Sequence, residues 1–333
     1  MTEFTPARIY YEPAVLKYPQ GREILDRYKD VPRQEIESHN RIPELRERPD
    51  KDFAHMKRYL ILGIRKSMKL MPNCNSADYI VPFTSSGCSA MCLYCYLVCT
   101  YFKGAYLRLF VNRDEMIRSV RKKVEDTVRP LTFEIGSNSD LVMENLVSRN
   151  LRWIVDQFSK LKTTATFATK FHQVEDILNI EHAGNMRIRI SVNPEMIIRR
   201  VELGTSPLEK RIEAANALYE SGYQVGVNIA PIILIDDWEK RYREMLDTLR
   251  AGLSPALQEQ LFFELIFMTY GYAHQQINPE AFPNAYPFFQ KELMRPKGRG
   301  KLCYKAEYRA PAEEWFSQMI PFMFPEAKIS YIV

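Results

Sequence analysis

No stretch of this chain approaches the roughly 18 to 20 consecutive apolar residues that a bilayer-spanning helix needs, so a membrane protein is not expected. The first residues, MTEFTPARIYYEP, lack the charged start, apolar stretch and small-residue cleavage site of a secretory leader, and the cytoplasm is the expected location. Internal repeats, low-complexity tracts and Gly/Ser linkers are also missing. What remains is a globular chain of 333 residues, long enough for one large α/β domain with terminal extensions or for two domains. Neither sign of charge dominates: 46 Lys and Arg face 41 Asp and Glu, and the net +5 is compatible with nucleic acid without identifying it. Cysteine is scarce, with six residues (Cys74, Cys88, Cys92, Cys95, Cys99 and Cys303), which in a reducing compartment read as free thiols or metal ligands rather than a disulfide framework.

Against that background, short β-type runs alternate with longer amphipathic stretches, the pattern of βα units and a parallel sheet. Six strands are expected, at Tyr79 to Phe83, Leu131 to Ile135, Ala165 to Ala168, Met186 to Val192, Gln224 to Pro231 and Phe262 to Phe267. Helical stripes lie between them: Leu151, Ile154, Val155 and Phe158; Leu208, Ile212, Ala215 and Tyr219; Tyr242, Met245, Leu246 and Leu249. The second stripe has a start signal, with Ser206 as N-cap, Pro207 at the first helical position and Glu209 completing a capping box. An open partial (β/α)6 barrel is the leading architecture and a doubly wound sheet the alternative. Residues 1–75 and 278–333 lack this rhythm and read as N- and C-terminal extensions on a barrel of residues 76–277.

Four of the six cysteines fall between Cys88 and Cys99, just after the first expected strand. Cys88-Ser89-Ala90-Met91-Cys92-Leu93-Tyr94-Cys95 is C-x3-C-x2-C. Three thiolates on one tight loop can ligate three irons of a 4Fe-4S cluster, whereas a fourth cysteine would close the cubane. The iron left open can chelate the amino and carboxylate groups of S-adenosylmethionine (SAM) and pass an electron to its sulfonium, releasing a 5'-deoxyadenosyl radical. The spacing, the aromatic Tyr94 and the placement after a strand agree on a radical SAM enzyme. The competing reading is a zinc site completed by Cys99, which would make a zinc-stabilised, non-enzymatic DNA-binding protein.

Beyond the cluster loop, the chain from about Ile9 to its end resembles the spore photoproduct lyase family of radical SAM enzymes. The likeness rests on Ile9-Tyr10-Tyr11-Glu12-Pro13, Cys92-Leu93-Tyr94-Cys95-Tyr96-Leu97, Phe133-Glu134, Ser139-Asp140, Thr169-Lys170-Phe171-His172, the block from Gly204 to Ala215, Ala230-Pro231-Ile232, Phe263-Glu264-Leu265-Ile266 and Phe324-Pro325-Glu326-Ala327-Lys328-Ile329. The resemblance implies a partial (β/α)6 barrel, a 4Fe-4S cluster on Cys88, Cys92 and Cys95, and SAM held by Ser139, Lys170 and Ser191. It implies light-independent repair of the methylene-bridged thymine dimer 5-thyminyl-5,6-dihydrothymine in double-stranded DNA of the spore core. An electron donor such as flavodoxin or ferredoxin and a monomeric chain go with it.

One departure stands out. Family members carry a hydrogen-donating cysteine just after the second strand, and here that position is Ser137, whose O–H bond is too strong to serve. Another thiol can substitute: Cys74, in a polar turn-forming stretch without an evident packing role, is preferred over Cys303 and Cys99, with Tyr96 as a relay, and the absence of any protein donor is the remaining alternative. Chain order places Cys74 at the far end of the barrel from the cluster, so it needs a loop that folds back. Ser137 equally leaves open a different radical SAM reaction on nucleic acid. DNA contact is expected on the basic C-terminal segment, at Arg299, Lys301 and Tyr304.

Overall fold

The structure, a computed structural model, describes residues 4–82, 84–101 and 106–333. Six parallel strands stand in the larger sheet in the order in which the chain makes them: β1 (Tyr79–Ile80), β2 (Thr132–Glu134), β3 (Thr164–Thr169), β4 (Met186–Val192), β5 (Gln224–Ile232) and β6 (Phe262–Phe267). A doubly wound sheet would reverse its order at a switch point, whereas strictly sequential order is that of a barrel. The sheet ends on β7 (Lys328–Ile332) at one edge and on the short antiparallel Met71–Pro72 at the other, so it curls into a partial barrel without closing. The first expected strand is shorter than the sequence implied, and its last residue, Phe83, lies outside the described residues.

Side chains alternate across this sheet with the period of two that a pleated strand imposes. In β4 and β5, Ile188, Ile190, Val192, Val225, Val227 and Ile229 are buried, while Arg189, Ser191 and Asn228 line the inner cavity. The helices Asn150–Ser159, Leu208–Glu220 and Trp238–Gly252 bury the expected stripes, with Leu218 rather than Tyr219 completing the second. Each fully buried Leu or Ile contributes about 1.5–3 kcal/mol, so these layers are what hold the barrel wall. The expected capping box at Ser206 does not form. Pro207 is the N-cap, the Ser206 hydroxyl is taken by His172 Nδ1 at 2.7 Å, and the free Leu208 N–H donates to Glu195 at 3.2 Å.

Both extensions are built into sheets. Arg33–Glu35, Arg8–Tyr11, Tyr59–Gly63 and Leu107–Phe110 form four adjacent parallel strands, edged by antiparallel Ser85–Ser86. The last two come from the barrel segment, so residues 8–63 share a sheet with it. At the other end, Met294–Gly298 and Lys301–Tyr304 form a hairpin against Thr269–Gly271. The helix Ala306–Met323 then packs Phe316 on Trp238 and Tyr242, and β7 pairs in parallel with β6. Among the described residues no helix is long and apolar enough to cross a membrane.

Candidate active site

Cys88, Cys92 and Cys95 line one cavity of about 400 Å³ at the C-terminal ends of the barrel strands. Their loop is held on several sides. Met91–Cys92 pairs antiparallel with Glu202–Leu203, and the Leu93 N–H donates to the Val201 carbonyl at 2.9 Å. Lys57 Nζ donates to the Cys88 carbonyl at 2.8 Å, and Asn278 Nδ2 to that of Leu93 at 2.7 Å. His274 Nε2 lies 2.9 Å from the Cys95 carbonyl while its Nδ1 accepts the Gly271 N–H, also at 2.9 Å, which assigns the remaining proton to Nε2. Burial lowers the His274 pKa and favours that neutral form.

As free thiols Cys88 and Cys92 stay protonated: burial, with the Asp140 carboxylate next, pushes Cys88 up to about 12, and burial and Glu202 push Cys92 well above its ordinary value. Coordination to iron reverses this, because a metal-bound thiol loses its proton outright. Cys99, the fourth ligand that a zinc site would require, sits on the helix Tyr96–Tyr101 with its Sγ 3.6 Å from His274 Nδ1. Among the described residues no three His, Cys, Asp or Glu side chains converge on a single-ion site, a convergence that a cubane, ligated at separate corners, does not require.

The wall beside the loop is polar and partly unsatisfied. Ser139 Oγ and Asn228 Oδ1 are buried, line the cavity and have no hydrogen-bond partner among the described residues. Each such group costs about 1–3 kcal/mol unless something in the cavity pairs with it, which fits a polar cofactor. Ser191 is buried beside Asn228 in register. Lys170 Nζ donates to the Ala230 carbonyl at 2.6 Å and pairs with Glu202 at 3.2 Å, leaving one of its three donors for a ligand. Asp140 caps the helix Leu141–Ser148 and accepts from Thr169 Oγ1 and the Lys170 N–H, both at 2.8 Å.

Behind this wall lies a charged network that the sequence reading missed. Arg211, fully buried within its helix, donates to the Ser191 and Ser206 carbonyls at 2.8 Å and to Glu202 at 2.7 Å. Glu202 also receives the Tyr94 hydroxyl and Asn193 Nδ2. Burial alone would raise its pKa, but Lys170 and Arg211 hold it down to about 2. A helical arginine four residues after a serine-proline pair looks like a solvated face, and nothing local marks it as the centre of a buried cluster.

At the same cavity, Glu134, Arg189 and Glu264 meet across β2, β4 and β6, with the Tyr331 hydroxyl donating to Glu264 at 2.8 Å. Ser76 Oγ donates to Glu134 at 2.9 Å, which draws the loop after Met71–Pro72 onto the cavity, so that Asn73, Asn75 and Ser76 line it. Cys74 lies in this loop and is exposed; its neighbours Asn73 and Asn75 line the cavity, and Cys74 itself does not. Ser137 and the half-exposed Tyr96 line the same cavity. Cys303 is partly buried, opposite the cavity-lining Thr269 in the antiparallel sheet.

The hairpin corrects one expected DNA contact. Tyr304 is only 2% exposed, with its oxygen accepting the Leu234 N–H at 2.9 Å, so its ring is core and is not offered to a duplex. Arg299 is exposed in the turn with a φ of 52°, flanked by Gly298 and Gly300, also at positive φ, while Lys301 is half-buried. Arg295 and Lys297 are exposed beside them.

A family model described as spore photoproduct lyase matches residues 4–333. The spore photoproduct lyase of Bacillus subtilis (strain 168) is 32% identical, with 98% of each chain covered, and that of Clostridium acetobutylicum is 30% identical over 98% of each. Among solved structures, a spore photoproduct lyase double mutant with bound AdoMet and dinucleoside spore photoproduct has a TM-score of 0.93 at 27% identity over 99% of each chain. A spore photoproduct lyase complexed with the dinucleoside alone has a TM-score of 0.92 at the same identity. The sequential half-barrel, the three-cysteine loop and the full-length match place this chain in the spore photoproduct lyase family.

Proposed function

We propose that this chain repairs the spore photoproduct in DNA to two thymines without light. One observation carries the reading: the three cysteines and the unsatisfied polar strand ends line a single cavity, in a fold that matches a structure holding AdoMet and the dinucleoside lesion. Cys88, Cys92 and Cys95 are the cluster ligands. Ser139, Lys170 and Ser191, at the strand ends, hold AdoMet, with the spare Lys170 donor suited to its carboxylate. When bound, cluster and AdoMet supply the 5'-deoxyadenosyl radical that takes the hydrogen from C6 of the saturated ring.

Loss of that hydrogen lets the methylene bridge break by β-scission, giving one thymine and one thymine carrying a methylene radical. Cys74 gives its thiol hydrogen to that methylene, making the methyl group and leaving a thiyl radical; Tyr96 gives its phenolic hydrogen to the thiyl, and the tyrosyl radical so formed takes a hydrogen atom from the methyl of the 5'-deoxyadenosine made in the first step. The reading of Cys74 is supported by the Ser76 tether and by Ser137, which lines the cavity without a thiol. The exposed Arg299 and half-buried Lys301 of the hairpin contact the phosphates of double-stranded DNA, and the lesion leaves the stack to enter the cavity. The chain acts as a monomer in the spore core, reduced by a flavodoxin or ferredoxin. Ser137 favours one second reading, another radical SAM reaction on nucleic acid.

Anaerobic incubation of the cluster-reconstituted protein with SAM, dithionite and a methylene-bridged thymine dinucleotide separates the two. Thymidylyl-thymidine formed by wild type and not by Cys92→Ala is the expected result. Cleavage of SAM to 5'-deoxyadenosine with the dinucleotide intact would overturn the lesion assignment and favour the second reading.

A further inference from the structure

Lys57 is 2% exposed, and nothing in the repair chemistry above uses it. It follows the short helix Phe53–Met56 and precedes the buried strand Tyr59–Gly63, so the N-terminal sheet fixes its backbone. From there its ammonium lies 5.4 Å from the centre of the Phe53 ring and donates to the Cys88 carbonyl at 2.8 Å. Its field also reaches the sulfur: burial and Asp140 push the Cys88 thiol up, and the Lys57 charge pulls it down. Three thiolates and an iron-sulfur core together carry net negative charge, and reduction adds one more.

We propose that Lys57 is a positioning residue for the cluster, a fixed positive charge delivered by the N-terminal sheet that steadies the Cys88 end of the loop and favours the reduced cluster. The proposal rests on Cys88, Cys92 and Cys95 as ligands and is independent of which substrate the radical attacks. A buried charge beside the redox centre weights the reduced form, so its removal lowers the midpoint potential and slows reduction by a donor of fixed potential.

The test is an anaerobic redox titration of the reconstituted full chain, followed by the electron paramagnetic resonance signal of the reduced cluster, with iron content measured alongside. Lys57→Gln keeps a donor for the Cys88 carbonyl and drops the charge, Lys57→Met drops both, and Lys57→Arg keeps both. The Gln variant, fully loaded with iron, is expected to reduce with an equilibrium constant about tenfold less favourable, about 59 mV for one electron, and the Arg variant to stay near wild type. Loss of iron from both neutral variants, with wild-type circular dichroism and full loading of the Arg variant, is the same dependence on charge in a stronger form. A fully loaded Gln variant with the wild-type midpoint overturns the proposal, as does an Arg variant that fails together with the neutral pair. Wild type that takes up no iron would instead overturn the cluster reading.

Discussion

The two sides of the cavity are built in opposite ways. The cluster side is a short local segment, residues 88–95, whose carbonyls are held by side chains arriving from two separate elements: Lys57 from the N-terminal sheet, and His274 and Asn278 from the one helix Tyr272–Ala281. The other side has no local segment at all. Glu134, Arg189 and Glu264 come from three strands, Tyr331 from the last strand and Ser76 from the loop that carries Cys74. The three candidate cluster ligands here come from one compact loop, so their spacing is written in the sequence. The donor thiol proposed above only has to reach the substrate and can stand on any loop the barrel tethers; the Cys74 loop is held by the pairing of Met71–Pro72 with Tyr79–Ile80 and by the Ser76 hydroxyl on the buried Glu134.

The comparison can be broken most severely on the cluster side. Cys92→Ala is expected to lose the iron-sulfur absorbance and to bring 5'-deoxyadenosine formation down to background with the fold intact by circular dichroism; retained absorbance would contradict the ligand assignment. Glu202→Gln leaves Arg211 and Lys170 without their shared carboxylate and should cost about 3–5 kcal/mol in urea unfolding. Because Glu202 is held down to about 2 from an ordinary 4.5, its contribution is complete above about pH 4.5 and is lost as pH falls towards 2. The stability gap between wild type and the Gln variant should therefore close over that window, and a constant gap would contradict the pairing.

Changes on the thiol side should act on product rather than on fold. Cys74→Ala is expected to keep SAM cleavage and consumption of the dinucleotide while intact thymidylyl-thymidine falls about tenfold. Ser76→Ala removes one hydrogen bond to a carboxylate, about 1.5–3 kcal/mol, and should lower the yield of intact product by less than Cys74→Ala does, in the same chromatographic assay. Away from both walls, Arg299→Ala should weaken duplex binding at low salt and flatten the slope of log K against log salt by about 0.9. An unchanged slope would remove Arg299 from the phosphate contacts.

The same contrast explains what could be read without coordinates. Six strands and three helical stripes were legible because a half-barrel imposes periods of two and 3.6 on the chain, and the alternation Arg187-Ile188-Arg189-Ile190-Ser191-Val192 even separates inner from outer wall. The strand Tyr59–Gly63 was not, because it is buried on both faces and reads as a featureless apolar run. Ser206 satisfied every local rule for an N-cap and was diverted by His172, a partner 34 residues away. Tyr304 sat among lysines and arginines in the sequence, yet hairpin pairing and the Leu234 N–H turn it inward. Lys57, Arg211 and Glu202 were invisible for a related reason: a charged residue reads as solvated until its partners, far along the chain, are brought to it.

The claim that one wall begins the repair and the other ends it is tested most directly by running the reaction in D2O, where the Cys74 thiol carries deuterium. Mass spectrometry of the thymidylyl-thymidine should find one deuterium in a thymine methyl group with wild type, and the labelled product should collapse with Cys74→Ala while 5'-deoxyadenosine still forms. Full labelling from the Cys74→Ala variant at the wild-type yield would contradict the account and move the donor to another exchangeable group on the cavity.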